Sequence, residues 1–108
     1  MKNLIIVLAV SAFTAVTICA ADVKENWEKN CQKCHGADGK GNTKMGRQSG
    51  VKDYTDAKVQ DELKDEKAVQ IIKEGIVEKG KKKMEPYADK LTDDEIKALI
   101  GFIRAFKK

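Results

Sequence analysis

One histidine, one proline and three cysteines are all that 108 residues contain, and nowhere do β-branched residues alternate with polar ones. Each shortage excludes something. Without alternating segments there is no signature of a half-buried strand, so the chain beyond its apolar start reads as all-α. Three cysteines, one of them inside that apolar start, are too few for a disulfide scaffold. A single histidine leaves zinc short of soft ligands and leaves an acid–base enzyme without a second imidazole. Neither sign of charge dominates: 21 Lys and Arg face 17 Asp and Glu, a net +4, interleaved along the chain. That balance does not point to nucleic acid. No internal repeat or low-complexity tract is present.

What is there begins with "LIIVLAVSAFTAVTICAA", Leu4 to Ala21, which carries no charge, whereas charges are dense from Asp22 onward. With Lys2 before it and small residues at its end, this reads as a secretory signal peptide, residues 1–20, cleaved after Ala20 or Ala21. Cys19 and Ala21 supply the small-x-small pattern that cleavage prefers. The run also sits at the lower limit of a bilayer span, so a retained anchor is the alternative. A lipid-modified Cys19 is disfavoured by bulky Ile18. Every outcome exports one domain, residues 21–108, to the periplasm or another compartment outside the cytoplasm. About 88 residues is close to the size at which a protein core becomes marginal, and a bound cofactor would help such a chain to fold.

Four helical segments are expected. Val23, Trp27, Cys31 and Cys34 follow spacings of four, four and three, one face of a helix from Asp22 to Cys34. Gly36 to Gly50, with five glycines, reads as a loop. A short helix follows in "TDAKVQDEL", with Thr55 as its N-cap, and another spans Glu66 to Glu74 and stops at Gly75. The last is the clearest: Thr92 and Glu95 form a capping box, and Ile96, Leu99, Ile100, Ile103 and Phe106 keep helical spacing. Gly101 breaks the propensity rule there, and a close helix approach beside Phe102 would explain it.

The stretch "CQKCHGADGKG", Cys31 to Gly41, puts two thiols and the sole imidazole within five residues. A thioredoxin-like dithiol would follow a strand at a helix start, and no such context exists. Zinc would find only Cys31, Cys34 and His35, with Cys34 and His35 awkwardly adjacent. Covalent haem needs what is present. Cysteines three apart share a helix face and reach the two vinyl groups of one haem edge, while the next residue, His35, turns its ring onto the iron. The pattern is attached outside the cytoplasm, in agreement with the leader.

For the other face of the iron there are Met45, ten residues after His35, and Met84, forty-nine after it. A ten-residue return is short, and Met45 is expected as a flexible core filler. Met84 follows two helices that give the chain room to cross. In "NCQKCHGADGKG", then "KKKMEPYADKLTDDEI", then "ALIGFIRAF", the chain resembles the class I, small soluble monohaem cytochrome c family. The resemblance implies a helical fold wrapped around one covalently bound haem c, with thioether bonds at Cys31 and Cys34 and the iron held by His35 and Met84. It also implies crossing N- and C-terminal helices, with Trp27 against Leu99 and Phe102. Glu85 separates Met84 from Pro86, where many members have the two adjacent.

The function expected is one-electron transfer between redox protein partners, by a monomer and not an enzyme. Membrane contact would come only through partner complexes or an uncleaved leader. Lys79, Lys81, Lys82 and Lys83 would form a basic rim for an acidic partner, or else simply a solvated loop. The rival is a haem enzyme or a gas- or peroxide-binding protein with an open sixth position, against which stand the lack of a second histidine and the presence of Met84.

Overall fold

The structure, a computed structural model, describes residues 20–108. The first nineteen residues of the expected leader therefore lie outside it, Cys19 included.

Helix α1, Ala20–Asn30, and the short α2, Gln32–His35, replace the single helix expected from Asp22 to Cys34. The break is a distortion at Cys31, where φ is −119°. Hydrogen bonding carries on across it: Cys31 N–H donates to the Trp27 carbonyl and His35 N–H to the Cys31 carbonyl, both at 2.9 Å. Face continuity is thus preserved while the two thiols are turned relative to α1.

The expected loop from Gly36 to Gly50 contains a helix of its own, α3, Lys44–Ser49. Thr43 caps it through its hydroxyl, which accepts from Gly46 N–H, and Gly50 closes it in the left-handed conformation at φ 69°. Helix α4, Ala57–Glu62, is capped by Asp56 rather than Thr55. Thr55 is engaged elsewhere, donating both its N–H (2.8 Å) and its hydroxyl (2.6 Å) to Asp53 Oδ1. Helix α5, Asp65–Glu74, buries Ala68 and Ile72 and ends at Gly75.

A two-stranded antiparallel hairpin comes next, β1, Ile76–Glu78, and β2, Lys81–Met84. Its two-residue turn has positive φ at both Lys79 (51°) and Gly80 (74°), the twist that suits a tight hairpin. Ile76 pairs with Met84 and Val77 with Lys82, so one extra residue, Lys83, bulges between them. The fold is otherwise helical, as expected.

Helix α6, Asp93–Arg104, has the full Thr92–Glu95 capping box and buries Ile96, Leu99, Ile100 and Ile103. It crosses α1 at Trp27, which is only 2% exposed and sits 5.3 Å from the Phe102 ring and 5.2 Å from Phe106. Leu99 belongs to the same buried cluster, together with Ala68 and Ile72 of α5. Aromatic pairs at this spacing contribute about 0.5–1.5 kcal/mol beyond the area they bury. A second tie joins α4 to α6. Gln60, 4% exposed, donates to the Tyr54 and Ile103 carbonyls at 2.7 and 2.9 Å, and Arg104 reaches back to the Gln60 carbonyl and to Asp65. Among the described residues no helix is long and apolar enough to cross a membrane.

Gly101 does not mark a close helix approach. It is exposed, and a Cβ added there would meet nothing within 4 Å. With no contact to lose, Gly101→Ala gains helix propensity, and the urea midpoint should rise by the equivalent of about 1 kcal/mol. An unchanged or lower midpoint would show that this glycine has a packing role after all.

Candidate functional site

A helix end leaves carbonyls without partners, and here three in a row are taken by specific neighbours. The Thr43 hydroxyl donates to the Cys34 carbonyl at 2.8 Å, Gly41 N–H donates to the His35 carbonyl at 2.8 Å, and the Trp27 indole N–H donates to the Gly36 carbonyl at 3.0 Å. Gly46 is buried against the same spot, and a Cβ there would collide with the Cys34 and Gly41 carbonyls. Thus α3 is pressed onto the thiol and imidazole segment backbone to backbone.

The His35 ring lies between Trp27, with centroids 5.6 Å apart, and Tyr54, stacked at 5.3 Å and 21°. Burial pushes its pKa down to about 4, so the imidazole is neutral with a lone pair free to bind a metal. Its Nδ1 is buried without a hydrogen-bond partner, a condition that costs about 1–3 kcal/mol. The chain alone therefore leaves this side chain incomplete. Burial, and then Cys34 beside it, push the Cys31 thiol up to about 12. A redox dithiol needs the opposite shift. Both thiols are free, and among the described residues no group of three or more His, Cys, Asp or Glu side chains is placed to hold a metal ion.

Cys31, Cys34, His35 and Met84 line one cavity of about 700 Å³. Its walls come from α1, α2, α3, the segment around Tyr54, α4, α5, β1 and β2. Met84 is half-buried and packs against the core cluster. Met45 lines the same cavity but is 39% exposed, so it is not the core filler expected from the sequence. The reason is its place on α3: its neighbour Gly46 makes the buried contact with Cys34, and Met45 is left at the rim. Of the basic run, Lys82 and Lys83 line the cavity, Lys83 donating to the Gln48 carbonyl at 3.4 Å and Lys82 pairing with Glu85 at 3.4 Å. Lys79 is in the turn and Lys81 opposes Glu78.

Residues 20–103 match the family model described as cytochrome C oxidase, cbb3-type, subunit III. The chain belongs to the cytochrome c family. The solved structure of the KustC0563 c-type cytochrome is similar to this cytochrome at 35% identity and a TM-score of 0.68, covering 79% of this chain and 96% of the other. A tyrosine-to-phenylalanine mutant of Kustc0563 gives 36%, 0.70, 80% and 99%. No curated protein matches. Membership brings covalently bound haem c with its iron, and the site fits it: two thiols on one helical turn, a neutral imidazole missing a partner, a thioether, and a cavity of the volume that holds a ligand of that class.

Sequence reasoning about this cytochrome missed part of the site. Tyr54 and Tyr87 form walls of the cavity, and Arg47, Lys52 and Lys67 join the basic residues around it. No motif marks these five, because each reaches the cavity through tertiary packing. The imidazole supplies a prediction. Its ordinary pKa of 6.5 falls to about 4 on folding, so between these values the unfolded chain binds more protons. The stability that the neutral ring confers is complete above about pH 6.5 and is lost as the pH falls to about 4, on the order of 2–3 kcal/mol in all. In the haem-free chain the urea midpoint read from Trp27 emission should therefore drop between about pH 7 and about pH 4.5; a midpoint that stays level would contradict the burial of a neutral His35.

Proposed function

We propose that this cytochrome is a one-electron carrier whose haem is attached through Cys31 and Cys34 and whose iron is held by His35 and Met84. The observation that carries the reading is that Met84, forty-nine residues from His35 in the chain, lines the same cavity as the Cys31–His35 segment. Met45 is the weaker candidate, exposed on a helix whose buried contact is to Cys34.

When bound, haem supplies a reversible one-electron change at iron. The residues do the rest. His35, neutral and gripped between Trp27 and Tyr54, offers an imidazole that needs little rearrangement. Met84 would hold the iron through a soft sulfur, which would raise the reduction potential and favour electron transfer over oxygen chemistry. The buried cluster behind both keeps water out and tunes that potential. Export to the periplasm and work as a monomer belong to the same reading, with thioether formation outside the cytoplasm.

The basic residues at the cavity rim support a docking role. Lys82 and Lys83, with Arg47, Lys52 and Lys67, outnumber Glu62, Glu78 and Glu85 there. Such a rim accelerates encounters with an acidic redox protein, and salt screens it.

An absorption spectrum of the protein matured with haem c tests the ligation. The expected result is a low-spin spectrum with a weak sulfur-to-iron charge-transfer band, indifferent to carbon monoxide, and loss of that band in Met84→Ala. High-spin iron that takes up carbon monoxide at once would instead establish an open sixth position and a gas- or peroxide-binding role. Exchanging Lys52, Lys67 and Lys82, all at the cavity rim, for glutamate should slow transfer to an acidic partner about tenfold at low salt, the gap closing as salt is raised. Equal rates at low salt would sink the docking role while leaving the ligation untouched.

A further inference from the structure

The turn at Cys31 has an effect on the opposite side of the cavity. In a continuous helix the Asn30 carbonyl would accept from Cys34 N–H, four residues on. Here Cys34 N–H goes to the Cys31 carbonyl instead, at 3.3 Å. The Asn30 carbonyl is taken by the Tyr87 hydroxyl at 2.7 Å, across fifty-seven residues of chain.

Tyr87 stands three residues after Met84 and lines the same cavity. Behind Met84 the chain is pressed onto Gly75, where a Cβ would collide with the Met84 carbonyl and come within 2.8 Å of Pro86 N. Ahead of it, Tyr87 N–H donates to the Ile72 carbonyl at 2.9 Å and Ala88 N–H to the Lys73 carbonyl at 3.2 Å. All of these fix the segment to the α5 side. The phenol alone in this set reaches across to the end of α1, one residue before Cys31.

We propose that Tyr87 is a positioning residue for the distal ligand, its hydroxyl latching the Met84 segment to the Asn30 carbonyl beside the first haem-bearing cysteine. The proposal rests on Met84 being that ligand. For Met84 to leave the iron its segment has to swing away from the cavity, and the latch opposes that swing. It also ties the two sides of the site together, since the backbone that carries Cys31 and the backbone that carries Met84 meet at this bond. Removing the hydroxyl while keeping the ring leaves the cavity wall in place and frees the motion.

Imidazole added to the oxidised, haem-loaded protein competes with Met84 and reads how readily the methionine departs. Tyr87→Phe should bind imidazole about three- to tenfold more tightly than the parent, the value of one ordinary hydrogen bond. Met84→Ala, with no methionine to displace, should bind far more tightly than either. Thr92→Ala, which breaks the α6 capping box at a residue that does not line the cavity, lowers global stability and should leave imidazole affinity at the parent value. If the parent and Met84→Ala bind alike, the ligation by Met84 is wrong and the latch has nothing to hold. If Met84→Ala binds tightly but Tyr87→Phe matches the parent, ligation stands and the latch is refuted. Equal tightening in Tyr87→Phe and Thr92→Ala would also refute it, by tracing the effect to overall stability.

Discussion

The bond from the Trp27 indole N–H to the Gly36 carbonyl is where the architecture meets the chemistry. The ring that makes it is buried between α1 and α6 against Phe102 and Phe106, so its position is set by the helix crossing. The carbonyl that receives it is the first after His35. Helix packing and imidazole placement are thus one problem with one solution, because a shift in the crossing moves the atom that holds the end of α2. A buried polar group such as this N–H is expensive to leave unpaired, which makes the arrangement all-or-none.

Around that bond the cavity is assembled from segments that are each too short to fold alone. Helices of four or six residues have little intrinsic stability, and they persist because their ends are capped and their backbones pressed together. The Thr43 hydroxyl serves two helices at once, donating to the Cys34 carbonyl and accepting from Gly46 N–H. The low polarity that results keeps His35 and Cys31 uncharged. A neutral imidazole keeps a lone pair free for a metal, and a thiol so raised stays protonated.

Much of this was legible in the residues. The haem motif, the Thr92–Glu95 box and the apolar face of α6 follow from spacing or motif, since each is local or repeats with the helix period, while the crossing of Trp27 with Leu99 and Phe102 came only through the family resemblance. Other features escaped for identifiable reasons. Helix α3 hid behind the glycines at 46 and 50, one needed for contact and the other for termination. The hairpin has strands of three and four residues and a Lys79–Gly80 turn, with no alternation to announce it. Thr55 looked like a cap because its bond to Asp53 cannot be read from sequence order. Met45 looked like core because an exposed methionine and a buried one are spelled alike. Cavity walls such as Tyr54 and Tyr87 depend on packing between segments far apart in the chain.

The hairpin also separates two kinds of change. A Cβ added at Gly80 in its turn would meet nothing within 4 Å, Val77 is 67% exposed, and the bulge at Lys83 lies between that outer half and Ile76 paired with Met84. A longer turn or a bulkier side chain there would project into solvent, so the tip has room for change that Ile76 and Met84, which line the cavity, do not have.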